Sequence, residues 1–182
     1  LANRFIQGGR VYSFEPSPAA QAVFQQHVKR NSRFIHNNNI RLLPYALSDS
    51  EKQVEFSNNS IQQDGNTYIT GSPVFSNAGD FLTIPCYSVD GLLQLKYDKP
   101  DVIKIDVEGA EYDVLKGAIN TLQQYKPNIL LATHDCHLPG VKDKCLQLLQ
   151  QLGYRLQHTG SHNKQLAGLD DYIAVHESRL PD

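Results

Sequence analysis

Short apolar runs alternate along the chain with segments in which apolar residues recur every three or four positions. The first pattern is typical of β-strands and the second of amphipathic α-helices. Strands are predicted at residues 11–14, 40–43, 53–57, 81–87, 102–107, 128–133, 154–158 and 171–176. Helices are predicted at residues 1–7, 18–30, 89–95, 110–122 and 141–152. This alternation predicts an α/β fold.

The helix at residues 18–30 has a clear start signal. Ser17 is a favoured N-cap residue, and Pro18 suits the first helical position because it lacks an N–H. Its apolar residues at helical spacing are expected to form a buried face: Ala20, Val23, Phe24 and Val28.

The order of the elements predicts a mostly parallel sheet covered by helices on both faces. The last two strands are expected to form an antiparallel pair. A polar stretch rich in Gly, Ser and Asn, residues 58–80, is expected to form a long loop or hairpin insertion. The length of 182 residues suits one domain over residues 1–182.

Composition narrows the possible partners and location. The net charge of -2, from 17 basic and 19 acidic residues, gives no electrostatic case for a nucleic-acid partner. No apolar run is long enough to span a membrane, and no signal peptide is visible. Cys86, Cys136 and Cys145 form no CxxC pair, which favours free thiols in a reducing, cytoplasmic compartment over a zinc site.

Two predicted strands end in acidic residues, and ligands of open α/β sheets bind at that edge. Glu15 follows the first strand, where a carboxylate accepts hydrogen bonds from the hydroxyls of a nucleotide ribose. The alternative is that Glu15 only caps the helix that begins near Ser17. A ribose contact would suit NAD as well as other nucleotide-like ligands.

Asp106 and Glu108 lie at the end of the strand predicted at residues 102–107. On a strand their side chains would point to the same side, although Glu108 could already belong to the loop. Functional roles for them are ligand contact, metal binding or proton transfer. The structural alternative is that Glu108 caps the next helix and that Lys104 or a backbone amide satisfies Asp106.

His134 ends the neighbouring strand and is a candidate general base near neutral pH. Asp106, His134 and Asp135 could alternatively hold one divalent metal, although no metal ligands are assigned. His137 is a weaker candidate. The remaining histidines lack a supporting constellation: His27, His36, His158, His162 and His176.

Three groups of residues together resemble the FkbM family of S-adenosylmethionine-dependent methyltransferases. They are the Glu-Pro motif in VYSFEP, residues 11–16, the ALSD segment at 46–49, and KIDVEGAE at 104–111 followed by VLKGA at 114–118. The resemblance covers about residues 10–160. It implies a Rossmann-like, seven-stranded class I methyltransferase sheet with an antiparallel last strand.

The same resemblance implies the cofactor and its contacts. S-adenosylmethionine would lie with its ribose on Glu15, beside Pro16 and Ser17, and with its adenine near the segment Ala46, Leu47 and Ser48. Asp106, Val107 and the residues after them would lie by the methyl donor and acceptor. Where the family often ends a strand in Glu-x-His, this chain has Ala132-Thr133-His134, which keeps only the histidine.

The family's first strand and its glycine-rich loop have no counterpart in this sequence. The chain also contains no methionine and begins with leucine. We therefore expect a first strand missing from this chain and an upstream extension in the natural protein that supplies it.

The expected activity is O-methylation of a sugar, glycolipid or natural-product hydroxyl, with His134, Asp106 and Glu108 as catalytic candidates. The partner is then a small-molecule or glycan acceptor. Two alternatives remain: a catalytically inactive relic or interaction module that keeps the fold without the cofactor, and an NAD-dependent dehydrogenase.

Overall fold

The computed structural model describes residues 9–32, 39–57, 81–161 and 168–180. The predicted helix at 1–7 and the predicted insertion at 58–80 lie outside these residues. The strands are β1 (Val11–Phe14), β2 (Ile40–Leu43), β3 (Ala46–Leu47), β4 (Lys52–Ser57), β5 (Phe81–Tyr87), β6 (Val102–Ile105), β7 (Asn128–His134), β8 (Tyr154–Ser161) and β9 (Leu169–His176). The helices are α1 (Pro18–Arg30), α2 (Val89–Gln94), α3 (Glu111–Lys116), α4 (Ile119–Tyr125) and α5 (Val141–Gln151), followed by a 3-10 turn at Glu177–Arg179.

A four-stranded sheet in the order β6-β7-β9-β8 forms the C-terminal half. β6 and β7 are parallel, whereas β9 runs antiparallel to both of its neighbours, β7 and β8. The predicted antiparallel pair at the C-terminus is therefore confirmed. One face of this sheet packs on α3, α4 and α5 around a buried apolar core that includes Leu115, Leu122, Ile129, Leu131 and Leu149.

The other strands form two smaller sheets. β1 and β2 are parallel, and β5 lies between parallel β3 and antiparallel β4. The α/β class is confirmed, but among the described residues three of the six strand pairings are antiparallel, so the sheets are mixed and not mostly parallel. The antiparallel pairings are those of β4 with β5, and of β9 with β7 and with β8.

Helices on both faces of the sheet were also expected. In the described part of the chain, one face of β6 and β7 has exposed apolar side chains: Val102 is 52% exposed and Leu130 is 41% exposed. Within the same residues, β1 pairs with β2 but not with β6.

Helix α1 begins as predicted, because Ser17 Oγ accepts a hydrogen bond from the Ala20 N–H and Pro18 is the first helical residue. Its predicted buried face is only half-buried, at Ala20, Phe24 and Val28. The helix contains no buried residue, and Val23 is 47% exposed. The described elements leave this apolar stripe only a shallow groove beside β2, lined by Phe24 and Val28.

The single helix predicted at residues 110–122 is two helices, α3 and α4, which break at Gly117 and Ala118. Asp90 stabilises the break: its backbone N–H donates to the Gly117 carbonyl, and its carboxylate accepts the N–H groups of Asn120 and Thr121. A carboxylate at the start of α4 satisfies amides that have no partner inside the helix.

Candidate functional site

The site lies where the parallel strands β6 and β7 end. Ile105 closes β6 and pairs with Leu131, and β7 continues for three residues to His134. The strand predicted to reach residue 107 therefore ends at Ile105, and Asp106 and Glu108 belong to the turn that follows. This turn faces the last residue of β7, so Asp106, Glu108 and His134 come together as predicted for adjacent parallel strands.

Glu108 and Gly109 shape the turn. Their φ angles are 54° and 106°, in the left-handed region that a non-glycine residue such as Glu108 uncommonly adopts. The turn leads directly to Glu111, the first residue of α3. Glu108 thus lies in the loop, which was one of the two alternatives left open by the sequence.

His134 is held by a buried carboxylate. Its Nδ1 lies 2.7 Å from Glu111 Oε1, a short charge-assisted contact, and the Gly109 N–H donates to the same oxygen at 2.9 Å. Glu111 is completely buried and the His134 side chain is 8% exposed. A carboxylate on Nδ1 places the proton there and orients Nε2 away from the core.

Nε2 of His134 faces two further carboxylates. It lies 3.5 Å from Glu108 Oε2 and 3.6 Å from Asp106 Oδ1. Both distances are longer than the 2.7–2.9 Å of a charged hydrogen bond. The ligand atoms of these three residues all lie within 4.8 Å of one another.

His137 completes the cluster. Its Nδ1 lies 2.9 Å from Glu108 Oε2, and its ring stacks on that of His134 with centroids 5.4 Å apart and an interplanar angle of 8°. The backbone N–H of His137 donates to the His134 carbonyl. Glu108 therefore lies between two imidazoles.

The pKa of His134 reflects opposing effects. Burial acts to lower the pKa, but the hydrogen bond that His134 donates to Glu111 and the negative charges of Glu108, Glu111 and Asp106 outweigh it and raise the pKa above the usual value. Three carboxylates around one imidazole favour a positive charge at this position.

Asp106 and Asp135, both predicted near His134, lie differently relative to it. Asp106 makes the contact with Lys104 that was considered as its structural role: its Oδ2 lies 2.6 Å from Lys104 Nζ. Its other oxygen, Oδ1, faces His134 Nε2. Asp135 is not a member of the cluster: its Oδ1 accepts the Lys142 N–H near the start of α5. The metal alternative built on Asp135 is therefore wrong, and Glu108 occupies that place.

The segment predicted to contact ribose lies between β1 and α1. Glu15 Oε1 accepts the Ser17 N–H at 2.9 Å, and the Glu15 N–H donates to the Leu43 carbonyl. Burial raises the pKa of Glu15. Glu15 therefore makes the contact expected if it only caps the helix. Among the described residues, this contact uses one of its two carboxylate oxygens. Pro16 lies between these two residues.

The segment predicted near adenine is fixed to the C-terminal half. Ala46 and Ser48 are buried, and the Ser48 N–H donates to the Tyr87 carbonyl. The Ser48 carbonyl lies so close to Gly117 that a Cβ added there would be 2.1 Å from it. Salt bridges to Lys52 and Lys116 hold the pKa of the neighbouring Asp49 well below its usual range.

Comparison with known proteins identifies the family. The Methyltransferase FkbM domain matches residues 2–156 of the chain. The chain belongs to the FkbM methyltransferase family. The resemblance found in the KIDVEGAE and Glu-Pro motifs is confirmed.

Relatives of this FkbM chain include two curated proteins. A hexuronic acid methyltransferase of Haloferax volcanii is 33% identical over 114 residues, 62% of this chain and 43% of that protein. A putative methyltransferase of Jannaschia sp. is 33% identical over 70 residues, 38% of this chain and 24% of that protein. The chain spans less than half the length of the curated relatives it matches.

The solved structure of an FkbM methyltransferase from Methylobacillus flagellatus has the same fold. It aligns with a TM-score of 0.59 at 17% identity, covering 91% of this chain and 36% of that one. Among the described residues of this FkbM chain, no helix is long and apolar enough to cross a membrane.

Sequence reasoning missed the part played by Glu111 in this FkbM site. From local sequence alone, Glu111 is an acid in the first turn of a helix, where it suits the helix dipole. Its burial follows from the break of the helix and the packing of α3 on α5, which no local pattern reports. The available signal was an acidic residue two positions after a glycine at a strand end, within the motif itself.

Proposed function

We propose that the protein is an S-adenosylmethionine-dependent O-methyltransferase that acts on a hydroxyl of a sugar, glycolipid or natural product. The observation that carries the proposal is the group of Asp106, Glu108 and His134 at the ends of two parallel strands, in a chain of the FkbM family. This is the edge of an α/β sheet at which ligands bind.

The carboxylate of Glu15 and the residues near it support a ribose-bearing cofactor. Glu15 is a half-buried carboxylate at the end of β1, with one oxygen used by the Ser17 N–H. Its other oxygen is suited to accept a ribose hydroxyl. Ser17 and the segment Ala46, Leu47 and Ser48 would lie around the same cofactor. S-adenosylmethionine, when bound, supplies an electrophilic methyl group.

The chain's own part in the reaction is positioning and proton acceptance. In the neutral form of His134 the proton is on Nδ1, against Glu111, and Nε2 presents a lone pair toward the Asp106 and Glu108 side. An acceptor hydroxyl placed there would give its proton to Nε2, or to Asp106, as it takes the methyl group that S-adenosylmethionine would supply in leaving as a thioether. Glu111 stabilises the imidazolium that results.

The acceptor class rests on chemistry and on one relative. A hydroxyl needs a base beside it to become a good nucleophile, and the carboxylate–histidine cluster supplies one. The Haloferax volcanii relative is a hexuronic acid methyltransferase, which makes a sugar the first acceptor class to test.

Cofactor binding is tested by Glu15→Ala in the full-length natural protein. We expect the affinity for S-adenosylmethionine, measured by calorimetric titration, to fall by about 1–3 kcal/mol, the range for losing hydrogen bonds to a charged group. Glu51→Ala, which removes an exposed carboxylate from a turn before β4, is the matched control. Unchanged affinity in Glu15→Ala would remove Glu15 from the site, and no binding by the unmutated protein would favour the relic or interaction module.

The chemical step is tested by His134→Ala. Turnover should fall while the affinity for S-adenosylmethionine changes little, because His134 lies at the methyl acceptor and not at the ribose. His158→Ala is the control, since His158 also pairs with a carboxylate, Asp170, but lies on β8. Equal turnover by His134→Ala and the unmutated enzyme would make His134 a bystander.

A further inference from the structure

We propose that Asp106, Glu108 and His134 form a binding site for one divalent transition-metal ion, of which Mn²⁺ and Zn²⁺ are the best candidates. The three side chains offer two carboxylate oxygens and one imidazole nitrogen within 4.8 Å of one another. They come from two different strand ends, so the folded sheet brings them together.

The spacing of the donor atoms fits ligands around a cation better than direct hydrogen bonds. His134 Nε2 lies 3.5 Å and 3.6 Å from the two carboxylate oxygens, beyond the length of a charged hydrogen bond. Ligands placed at about 2.1 Å from a tetrahedral metal are separated from one another by about 3.4 Å. A cation between these atoms would also relieve the repulsion between the two carboxylates and the Nε2 lone pair.

A second observation concerns the atoms behind the histidine. Metal-binding histidines usually donate their other ring N–H to a carboxylate, which fixes the tautomer and increases the basicity of the ligating nitrogen. Glu111 does this for His134 from a completely buried position at 2.7 Å. Its second oxygen, Oε2, is buried without a hydrogen-bond partner among the described residues, so the contacts of this carboxylate are all on Oε1, with His134 and the Gly109 N–H.

The donor set also indicates the kind of metal. The imidazole ligand suits Zn²⁺ and similar transition-metal ions, and the two carboxylates also suit Mn²⁺, whereas Mg²⁺ and Ca²⁺ favour sites made of oxygen ligands alone. Asp106 and Glu108 are 39% and 27% exposed at their side chains, whereas His134 is almost fully buried. The open side therefore leaves coordination positions for water or for a substrate hydroxyl.

The experiment is a titration of the EDTA-treated protein with MnCl₂ alone, followed by calorimetry and by the electron paramagnetic resonance signal of free Mn²⁺. We expect one Mn²⁺ per chain, nitrogen coupling from one imidazole in the pulsed spectrum, and weaker competition by Mg²⁺ and Ca²⁺ than by Zn²⁺. No methyl donor is needed for this measurement, so it can be made whether or not the protein binds S-adenosylmethionine. With the ion bound, His134 Nε2 would be a ligand and not a proton acceptor, so a positive titration would assign activation of the hydroxyl to the ion and leave cofactor binding at Glu15 to its own test.

Four variants separate ligands from bystanders. Asp106→Asn and Glu108→Gln, both partly exposed and outside the core, should each weaken Mn²⁺ binding more than 10-fold with an unchanged melting temperature. Glu111→Gln, a change at the positioning residue, should weaken it about 10–100-fold. Asp170→Asn is the matched control, because Asp170 pairs with His158 at 3.1 Å outside the cluster and should leave Mn²⁺ affinity unchanged.

Three results would overturn the proposal. The first is no Mn²⁺ or Zn²⁺ binding by the unmutated protein. The second is binding that survives both Asp106→Asn and Glu108→Gln, or that shows no nitrogen coupling. The third is competition by Mg²⁺ or Ca²⁺ as strong as that by Zn²⁺, which would contradict the assignment to a transition metal.

Discussion

The C-terminal sheet with its helices and the N-terminal unit β1-α1-β2 are built very differently. The buried apolar core includes residues of β6, β7, β8, β9, α3, α4 and α5, and none from β1, α1 or β2 among the described residues. In the N-terminal unit Ser17 is the buried side chain, and α1 exposes Val23. The packed half holds the His134 cluster in defined geometry, whereas the candidate ribose contact, Glu15, lies on the open unit.

This difference separates two tasks of a methyltransferase. Groups that move a proton must be held within a fraction of an ångström, which requires side chains locked by packing and by hydrogen bonds behind them. A carboxylate that accepts ribose hydroxyls needs less support. Burial of Glu111 and exposure of α1 therefore place the rigid part of the fold at the groups proposed to react.

The largest expected effect comes from a matched pair of variants in which one apolar side chain in each region is shortened to alanine. Leu122→Ala in α4 should lower the free energy of unfolding by about 2–5 kcal/mol, because Leu122 is completely buried in the core. Val23→Ala in α1 should change it by less than about 0.5 kcal/mol, since Val23 is already exposed. Urea denaturation measures both. Similar losses in the two variants would show that α1 is covered and that the comparison is wrong.

A smaller effect is expected at the junction with the middle sheet. In Gly117→Ala the new Cβ would clash with the Ser48 backbone carbonyl, so we expect a loss of about 1–3 kcal/mol in unfolding free energy. Because Ser48 would have to move, the affinity for S-adenosylmethionine should also fall. Gly140→Ala is the control: it is strained by its φ of 81° but has open space around it, and should leave cofactor affinity unchanged. Equal affinities in the two variants would disconnect Ser48 from the cofactor.

The same comparison explains what could be predicted from the sequence. The strands β1, β2 and β5 and the start of α1 follow local patterns of apolar residues, Ser17 and Pro18, and were predicted closely. Asp106, Glu108 and His134 could be grouped because the carboxyl ends of adjacent parallel strands meet at one edge.

Other features depend on contacts between distant residues. The break between α3 and α4 depends on Asp90, which lies about 30 residues earlier in the chain, and on the approach of Ser48 to Gly117. The partner of His134 depends on the burial of Glu111. The exposed face of α1 could not be predicted from its amphipathic pattern, because that pattern indicates which face could be buried and not whether another element covers it.

The test with the smallest expected effect compares how fast cysteine thiols react in the two regions. Cys145 in α5 is completely buried, and burial raises the pKa of its thiol to about 12, so it should not react with a disulfide reagent at pH 8 until the protein unfolds. Cys136, half-buried beside the site, should react slowly, whereas a Val23→Cys variant should react at once through its exposed thiol. Peptide mapping after timed labelling identifies each site. Labelling of Cys145 at a rate close to that of the Val23→Cys thiol would show that the C-terminal half opens as readily as α1, and the contrast between the two regions would then be one of static packing alone.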